Sequence, residues 1–309
     1  MFKIIDCHLH IKEGERECIS GLLKSGGLDG IAIASIPAGI TKDCYYVNDK
    51  ALKLKRKYSG KLYLFAGLDY SNREYLKGKV DFARQAEKLI ASGADGIKMI
   101  EGKPDARKNL GIPLDSEILD SFYSYMEKSG RPILFHVADP EEFWDRKKVP
   151  EWAVKNGWFW GRKGYVSKEQ LYKETEGVLK KFPKLKVIFA HFYFMSADIK
   201  RASSFFERWP NVCFDLTPGM EMYFNFTKKP QEWRAFFIRY QDRILFGSDN
   251  LGTCGSGKAK HLDSTVKHIA SIRKFLETDE EMCSGRGLKL PQSALKKIYS
   301  GNFLRILAS

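Results

Sequence analysis

The sequence predicts an α/β fold, a closed (βα)8 barrel of the TIM type with an aromatic-rich insertion after strand five. Three observations predict it. Eight short runs rich in Ile, Val, Leu and Phe alternate with amphipathic stretches. Most run-to-run spacings are about 25–36 residues, the size of one strand–helix unit. The stretch after the first run reads HIKEGERE, without the glycine-rich loop that opens many doubly wound sheets. Barrels of ~250 residues or more run as one domain, so residues 1–309 read as a single domain.

The strand candidates, in order, are KIIDCHLH (3–10), GIAIASIP (30–37), KLYLFAGLD (61–69) and DGIKMI (95–100), then RPILFHVAD (131–139), KVIFAHFYF (186–194), NVCFDLT (211–217) and RILFGSDN (243–250). Their nearly continuous apolar character suits strands covered on both faces. Between them, REYLKGKVDFARQAEKLIASG (73–93) repeats near period 3.6 and stops at Gly93. SEILDSFYSYMEKSG (116–130) also ends in glycine. SKEQLYKETEGVLKKFP (167–183) opens with Ser167 and Gln170 at capping-box spacing. About 55 residues separate the fifth run from the sixth. The excess, roughly 140–166, holds Phe143, Trp144, Trp152, Trp158, Phe159, Trp160 and Tyr165. Such a segment is either a lid over the C-terminal rim or a packing or subunit-interface element. Met220, Met222, Tyr223, Phe224 and Phe226, after strand seven, invite the same two readings.

The composition, 43% hydrophobic and 29% charged, is that of an ordinary globular chain. No apolar run reaches the ~18 residues of a membrane span, and the start shows no secretory pattern. Six cysteines without a C-x-x-C pair point to reduced thiols and a cytoplasmic setting. A net charge of +14 fits a lysine-rich surface or an anionic small-molecule partner. No nucleic-acid motif accompanies it.

Side chains two apart on a strand share a face, so His8 and His10 project together at the end of strand one, with Asp6 in the same parity and Cys7 facing away. His136, His191 and Asp249 end strands five, six and eight, and Lys98 lies near the end of strand four. That rim supplies the catalytic residues of barrel enzymes. Imidazoles and a carboxylate converging there are the donor set of a divalent cation, Zn2+ first and Mn2+ second, one ion rather than two. Such an ion lowers the pKa of a coordinated water toward ~7. Asp6 reads either as orienting a ligand histidine or as a structural residue of the barrel floor.

IIDCHLH, ILFHVAD, VIFAH and ILFGSDN, in that order, resemble the amidohydrolase superfamily, and ALKKIYSGNFLRIL (294–307) resembles the closing helix of its amidohydrolase-2, aminocarboxymuconate semialdehyde decarboxylase-like branch. The resemblance implies that His8, His10, His136 and Asp249 hold the metal. It implies that Asp249 also takes a proton from the nucleophilic water. His191 is implied as a polarising or proton-transfer group, or as a ligand to a second ion. Lys98 is implied as a carboxylated bridge between two metals, or else as a free lysine that meets an anionic substrate or a structural ion-pair partner. Glu101 is a further candidate ligand or substrate contact.

GTCGSGKA (252–259) has phosphate-loop spacing, but Ala259 replaces the magnesium-binding Ser/Thr. It reads as a flexible loop whose Lys258 meets a substrate anion. Trp160 and Arg162 are further substrate-contact candidates. The expected activity is metal-dependent hydrolysis of a small carboxylated or phosphorylated ester, lactone or amide. The alternatives are a non-oxidative decarboxylase or hydratase on the same metal site, and an anion-binding barrel without turnover. A homodimer is the expected assembly.

Overall fold

The computed structural model describes residues 2–11, 16–41, 45–219, 221–252 and 258–308. Its strands are β1 (Ile5–Ile11), β2 (Gly30–Ala34), β3 (Leu62–Gly67), β4 (Gly96–Gly102), β5 (Ile133–Val137), β6 (Val187–Phe189), β7 (Val212–Asp215), β8 (Ile244–Leu245) and β9 (Leu251–Gly252). All pair in parallel, in the order β8-β7-β6-β5-β4-β3-β2-β1-β9. β8 and β9 belong to one stretch, which bonds β7 at one end and β1 at the other. Between them the Cys7 amide donates to Phe246 O (3.0 Å) and the Asp249 amide to His8 O (2.8 Å). The sheet is thereby a closed barrel, as expected.

A small cluster fills its interior: Ile5, Cys7, Ala32, Ala34, Phe65, Leu134, Ile188, Cys213 and Leu245. Phe303 and Ile306 of the last helix plug the floor, with Phe303 edge-on to Tyr63 at 5.0 Å. His136 and Asp215 stand one pleat above Leu134 and Cys213, so the cluster is the base on which the site rests. The outward strand faces and the helices form the larger core.

Local structure departs from the sequence reading at four places. The stretch 73–93 is two elements: a 3-10 turn, Arg73–Lys77, ended by Gly78 at φ 70, and a helix, Phe82–Ala91. Asp81 caps the second by accepting from the Arg84 amide at 2.9 Å. β6 stops at Phe189, because His191, Phe192, Tyr193 and Phe194 all have φ between 49 and 56. The register of β1 shifts between Asp6 and Leu9, so the simple alternation fails there. Cys7 packs inside the barrel beneath His8 instead of facing away, and burial pushes its thiol pKa well up. Finally, Ser167 caps the helix Lys168–Lys181 by accepting from the Gln170 amide (3.1 Å), while the Gln170 side chain turns to Glu174.

The insertion contains a 3-10 turn, Glu141–Trp144, and a short helix, Glu151–Lys155. Phe143, Ala153 and Trp160 form a separate small core, flanked by Trp144, Trp152, Trp158 and Tyr165. After β7, Tyr223 and Phe226 pack edge-on and stacked against Phe275 at 4.9 and 5.6 Å. Met222, Tyr223 and Phe226 are therefore core packing rather than a cover, while Phe224 is exposed; Met220 lies outside the described residues. Among the described residues, no helix is long and apolar enough to cross a membrane.

Candidate metal centre

Four histidines and Asp249 meet above the interior cluster, and their hydrogen-bond partners assign the tautomer of each ring. His8 Nδ1 faces Asp215 Oδ2 at 2.9 Å. His10 Nδ1 faces Ala34 O at 2.6 Å. His136 Nε2 faces Ala138 O at 2.9 Å and Asp139 Oδ1 at 3.3 Å. His191 Nδ1 faces Thr217 O at 3.2 Å. Each of these partners only accepts, and the Thr217 hydroxyl, also 3.2 Å from His191 Nδ1, spends its hydrogen on Asp215, so that nitrogen carries the hydrogen and the other offers a lone pair. Burial, followed by Lys98, lowers the His8 pKa to about 3, and burial lowers that of His136 to about 4. Both rings are neutral near pH 7.

The remaining nitrogens point at one another, with Lys98 Nζ also 3.1 Å from His8 Nε2. His8 Nε2 is 3.2 Å from His10 Nε2, and His136 Nδ1 is 3.2 Å from His191 Nε2. Asp249 Oδ1 lies 3.2 Å from His10 Nε2 and 3.6 Å from His8 Nε2. Lone pairs facing lone pairs beside a carboxylate repel, and an electrophile between them relieves this. The donor atoms of His8, His10 and Asp249 all lie within 4.8 Å of one another. The set fits a divalent cation in donor type, tautomer and spacing. His136 stands outside that trio and reaches Asp249 through His191, whose Nε2 is 3.9 Å from Asp249 Oδ2.

The arrangement is held against backbone strain. Of the eight non-glycine residues with positive φ among those described, six are Ala138, His191–Phe194 and Asp249, all at strand ends around the site. Such a residue costs roughly 1–2 kcal/mol. The turn at His191 persists because Asp215 Oδ1 accepts from the His191 amide (2.8 Å) and Tyr172 donates to Tyr193 O (2.8 Å). Buried rings of Phe192 and Tyr193 pack beneath it. At β4, a Cβ on Gly102 would stand 2.7 Å from His136 O, so glycine is what lets the strands approach there.

Asp215 is the hub that the sequence reading did not single out. One carboxylate oxygen takes His8 Nδ1–H; the other takes the His191 amide and the Thr217 amide and hydroxyl. Burial opposes its ionisation, but these donors, led by His8, hold its pKa below the ordinary value. Its place at the end of β7 was the available signal. Asp6 has the structural role: it accepts from the amides of His8 and Ser248 and from the Ser248 hydroxyl, tying β1 to the last stave without touching an imidazole.

Lys98 is buried with Nζ 3.1 Å from His8 Nε2. Burial, opposed by Asp249 and Asp215, lowers its pKa to about 8. Its partner is an imidazole rather than a carboxylate. A cavity of about 470 Å3 opens above these groups. Phe143, Trp152, Trp158 and Phe194 form aromatic walls, and Lys103 and Asp139 stand beside the histidines. Trp160 is buried behind the wall and donates to Asp139 Oδ2 at 2.8 Å. Arg162 turns to Gly157 O and the Tyr165 hydroxyl, away from the cavity, which corrects its candidacy as a substrate contact. The Lys258 side chain and the loop 253–257 lie outside the described residues.

Glu101 does not line the cavity. It is fully buried beside Tyr70, whose hydroxyl faces it without completing a normal hydrogen bond, and neither carboxylate oxygen has a partner. This removes it from the candidate ligands. Burial pushes its pKa up to about 7, from an ordinary 4.5. Between those values the unfolded chain ionises first, so this group lowers stability as pH rises from about 4.5 to 7, by roughly 3 kcal/mol in all. Glu101→Gln should be more stable relative to the parent at pH 8 than at pH 5. Urea unfolding at both values checks this; a constant parent–variant difference would contradict it.

Residues 44–308 match the family model described as Amidohydrolase. The chain belongs to the amidohydrolase family, in its amidohydrolase-2 branch. The matched region begins after β1, so His8 and His10 lie outside it. No curated protein matches this amidohydrolase. Among solved structures it is similar to an uncharacterized TIM-barrel protein from Bordetella bronchiseptica, with 14% identity, 99% and 98% of the two chains covered and a TM-score of 0.60. It is also similar to 5-carboxyvanillate decarboxylase from Sphingomonas paucimobilis (14%, 96% and 83%, 0.57). A third is dihydroxybenzoic acid decarboxylase from Polaromonas with bound manganese and the inhibitor 2-nitroresorcinol (14%, 100% and 97%, 0.60). At such identities the likeness shows the TIM-barrel fold.

Proposed function

We propose that this amidohydrolase is a metal-dependent, non-oxidative decarboxylase of a small aromatic carboxylic acid. The observation that carries the reading is the cavity, with aromatic rings on its walls and Lys98, Lys103 and a cation-ready donor set at its base. A flat ring suits the walls, and a carboxylate suits the base. The decarboxylases among the similar structures support the same chemistry.

In this reading His8, His10 and Asp249, with His136, hold one divalent ion, Zn2+ or Mn2+. When bound, the ion supplies Lewis-acid anchoring of substrate oxygens. Lys98 and Lys103 attract the anion, and Phe143, Trp152 and Trp158 orient the ring and exclude water. The insertion 140–166 is then a lid on a single-domain barrel. The ring-to-carboxylate bond breaks with its electron pair left on the ring carbon, CO2 departs, and that carbon takes a proton. Asp249 Oδ2 and His191 Nε2, 3.9 Å apart and neither carrying a hydrogen at rest, take that proton up from solvent and pass it to the ring carbon.

The same Asp249–His191 pair favours a second reading. Asp249 takes a proton from water attacking an ester, lactone or amide, and the pair returns it to the leaving group. Metal-loaded protein incubated with dihydroxybenzoates and 5-carboxyvanillate is expected to release CO2 in step with the decarboxylated phenol. Cleavage of lactones or esters without CO2 from the acids selects hydrolysis. Turnover of neither set selects the anion-binding barrel.

A further inference from the structure

The turn after β5 does more than end a strand. Ala138 takes φ 67, which costs an alanine about 1 kcal/mol. That turn brings both Ala138 O and Asp139 Oδ1 onto His136 Nε2, at 2.9 and 3.3 Å. The other oxygen of Asp139 accepts from Trp160 Nε1 at 2.8 Å and from Lys103 Nζ at 3.2 Å. Lys103 Nζ in turn sits 4.9 and 4.8 Å from the ring centroids of Trp158 and Trp160. His136, Asp139 and Trp160 are all buried.

We propose that Asp139 is the positioning residue of His136, and that Trp160 holds Asp139 in that role, so the insertion is coupled to the metal centre. The inference rests on the reading of His136 as a ligand. An indole N–H donates and never accepts. It therefore ties down one carboxylate oxygen and leaves the other aimed at His136. A carboxylate behind a ligand imidazole fixes the ring and raises its basicity more than a carbonyl does alone. The insertion thus reaches the donor set through two hydrogen bonds, Trp160 to Asp139 and His136 to Asp139.

Calorimetric titration of metal-stripped protein with Mn2+ and with Zn2+ tests the coupling, alongside the metal-free Tm. Asp139→Asn is expected to weaken binding by roughly 10–100-fold. Trp160→Phe, which keeps the packing and loses only the donor, is expected to weaken it by about 3–10-fold. A purely structural role lowers Tm and leaves the affinity of the folded protein alone. Parent-like affinity in both variants overturns the proposal. His136→Ala separates the two possible failures. If it binds metal as the parent does, the ligand reading itself fails. If it binds weakly while Asp139→Asn and Trp160→Phe do not, only the positioning role falls. Should Asp139→Asn not fold, Trp160→Phe decides alone.

Discussion

His8→Ala is expected to leave the purified protein without bound metal and to lower turnover by about a thousandfold. A cation in such a site stabilises charge in the transition state by several kcal/mol, and about 4 kcal/mol corresponds to ~10³ in rate. His8 carries this weight because Nε2 stands within hydrogen-bond distance of both His10 Nε2 and Lys98 Nζ and 3.6 Å from Asp249 Oδ1. Alanine also leaves Asp215 Oδ2 without its partner inside the barrel, an orphaned acceptor that costs roughly 1–3 kcal/mol. Metal content by plasma mass spectrometry and kcat on the best substrate check this. One ion per chain retained in His8→Ala, with kcat near the parent's, contradicts the assigned ligand set.

Asp215→Ala should be the most damaging substitution among residues outside the donor set. It removes one carboxylate that four donors share: His8 Nδ1, the His191 amide, and the Thr217 amide and hydroxyl. The left-handed residues from His191 to Phe194 then lose the bond that opposes their strain. Breaking a buried charged network of this kind costs about 3–5 kcal/mol. In a chain of this size that is a Tm lower by roughly 5–10 °C. His8 also loses the acceptor that fixes its tautomer, so metal affinity should fall by about 10–100-fold. Unfolding scans and metal titration measure the two effects separately. A variant with parent-like Tm and affinity would show that Asp215 is a bystander.

The histidines and Asp249 were legible because each sits at a place that the barrel requires. A run of apolar residues marks the strand, and the ionisable side chains toward its C-terminal end mark the rim. Asp215 and Asp139 satisfied the same rule, in NVCFDLT and ILFHVAD, yet their importance was not visible. Carboxylates are common at strand ends, and what distinguishes these two is their partners, 207 residues away for His8–Asp215 and 21 for Trp160–Asp139. Trp160 and Arg162, two residues apart, looked alike as candidates. Packing separated them, because Trp160 is buried on Asp139 while Arg162 turns outward to Tyr165. Glu101 shows the opposite error, since sequence proximity to Lys98 suggested a shared site that the strand's geometry denies.

By itself the sequence determined the eight staves, their parallel order and the residue types at their ends. Those follow from periodicity and composition, which act over a few residues. Only the tertiary structure decided which nitrogen of each imidazole faces the centre, because that depends on acceptors such as Asp215, Ala34 and Asp139 supplied by other segments. It also decided the register shift in β1 and the left-handed turn at His191, which local propensity disfavours. Both persist because burial and hydrogen bonds from elsewhere in the barrel outweigh the local cost.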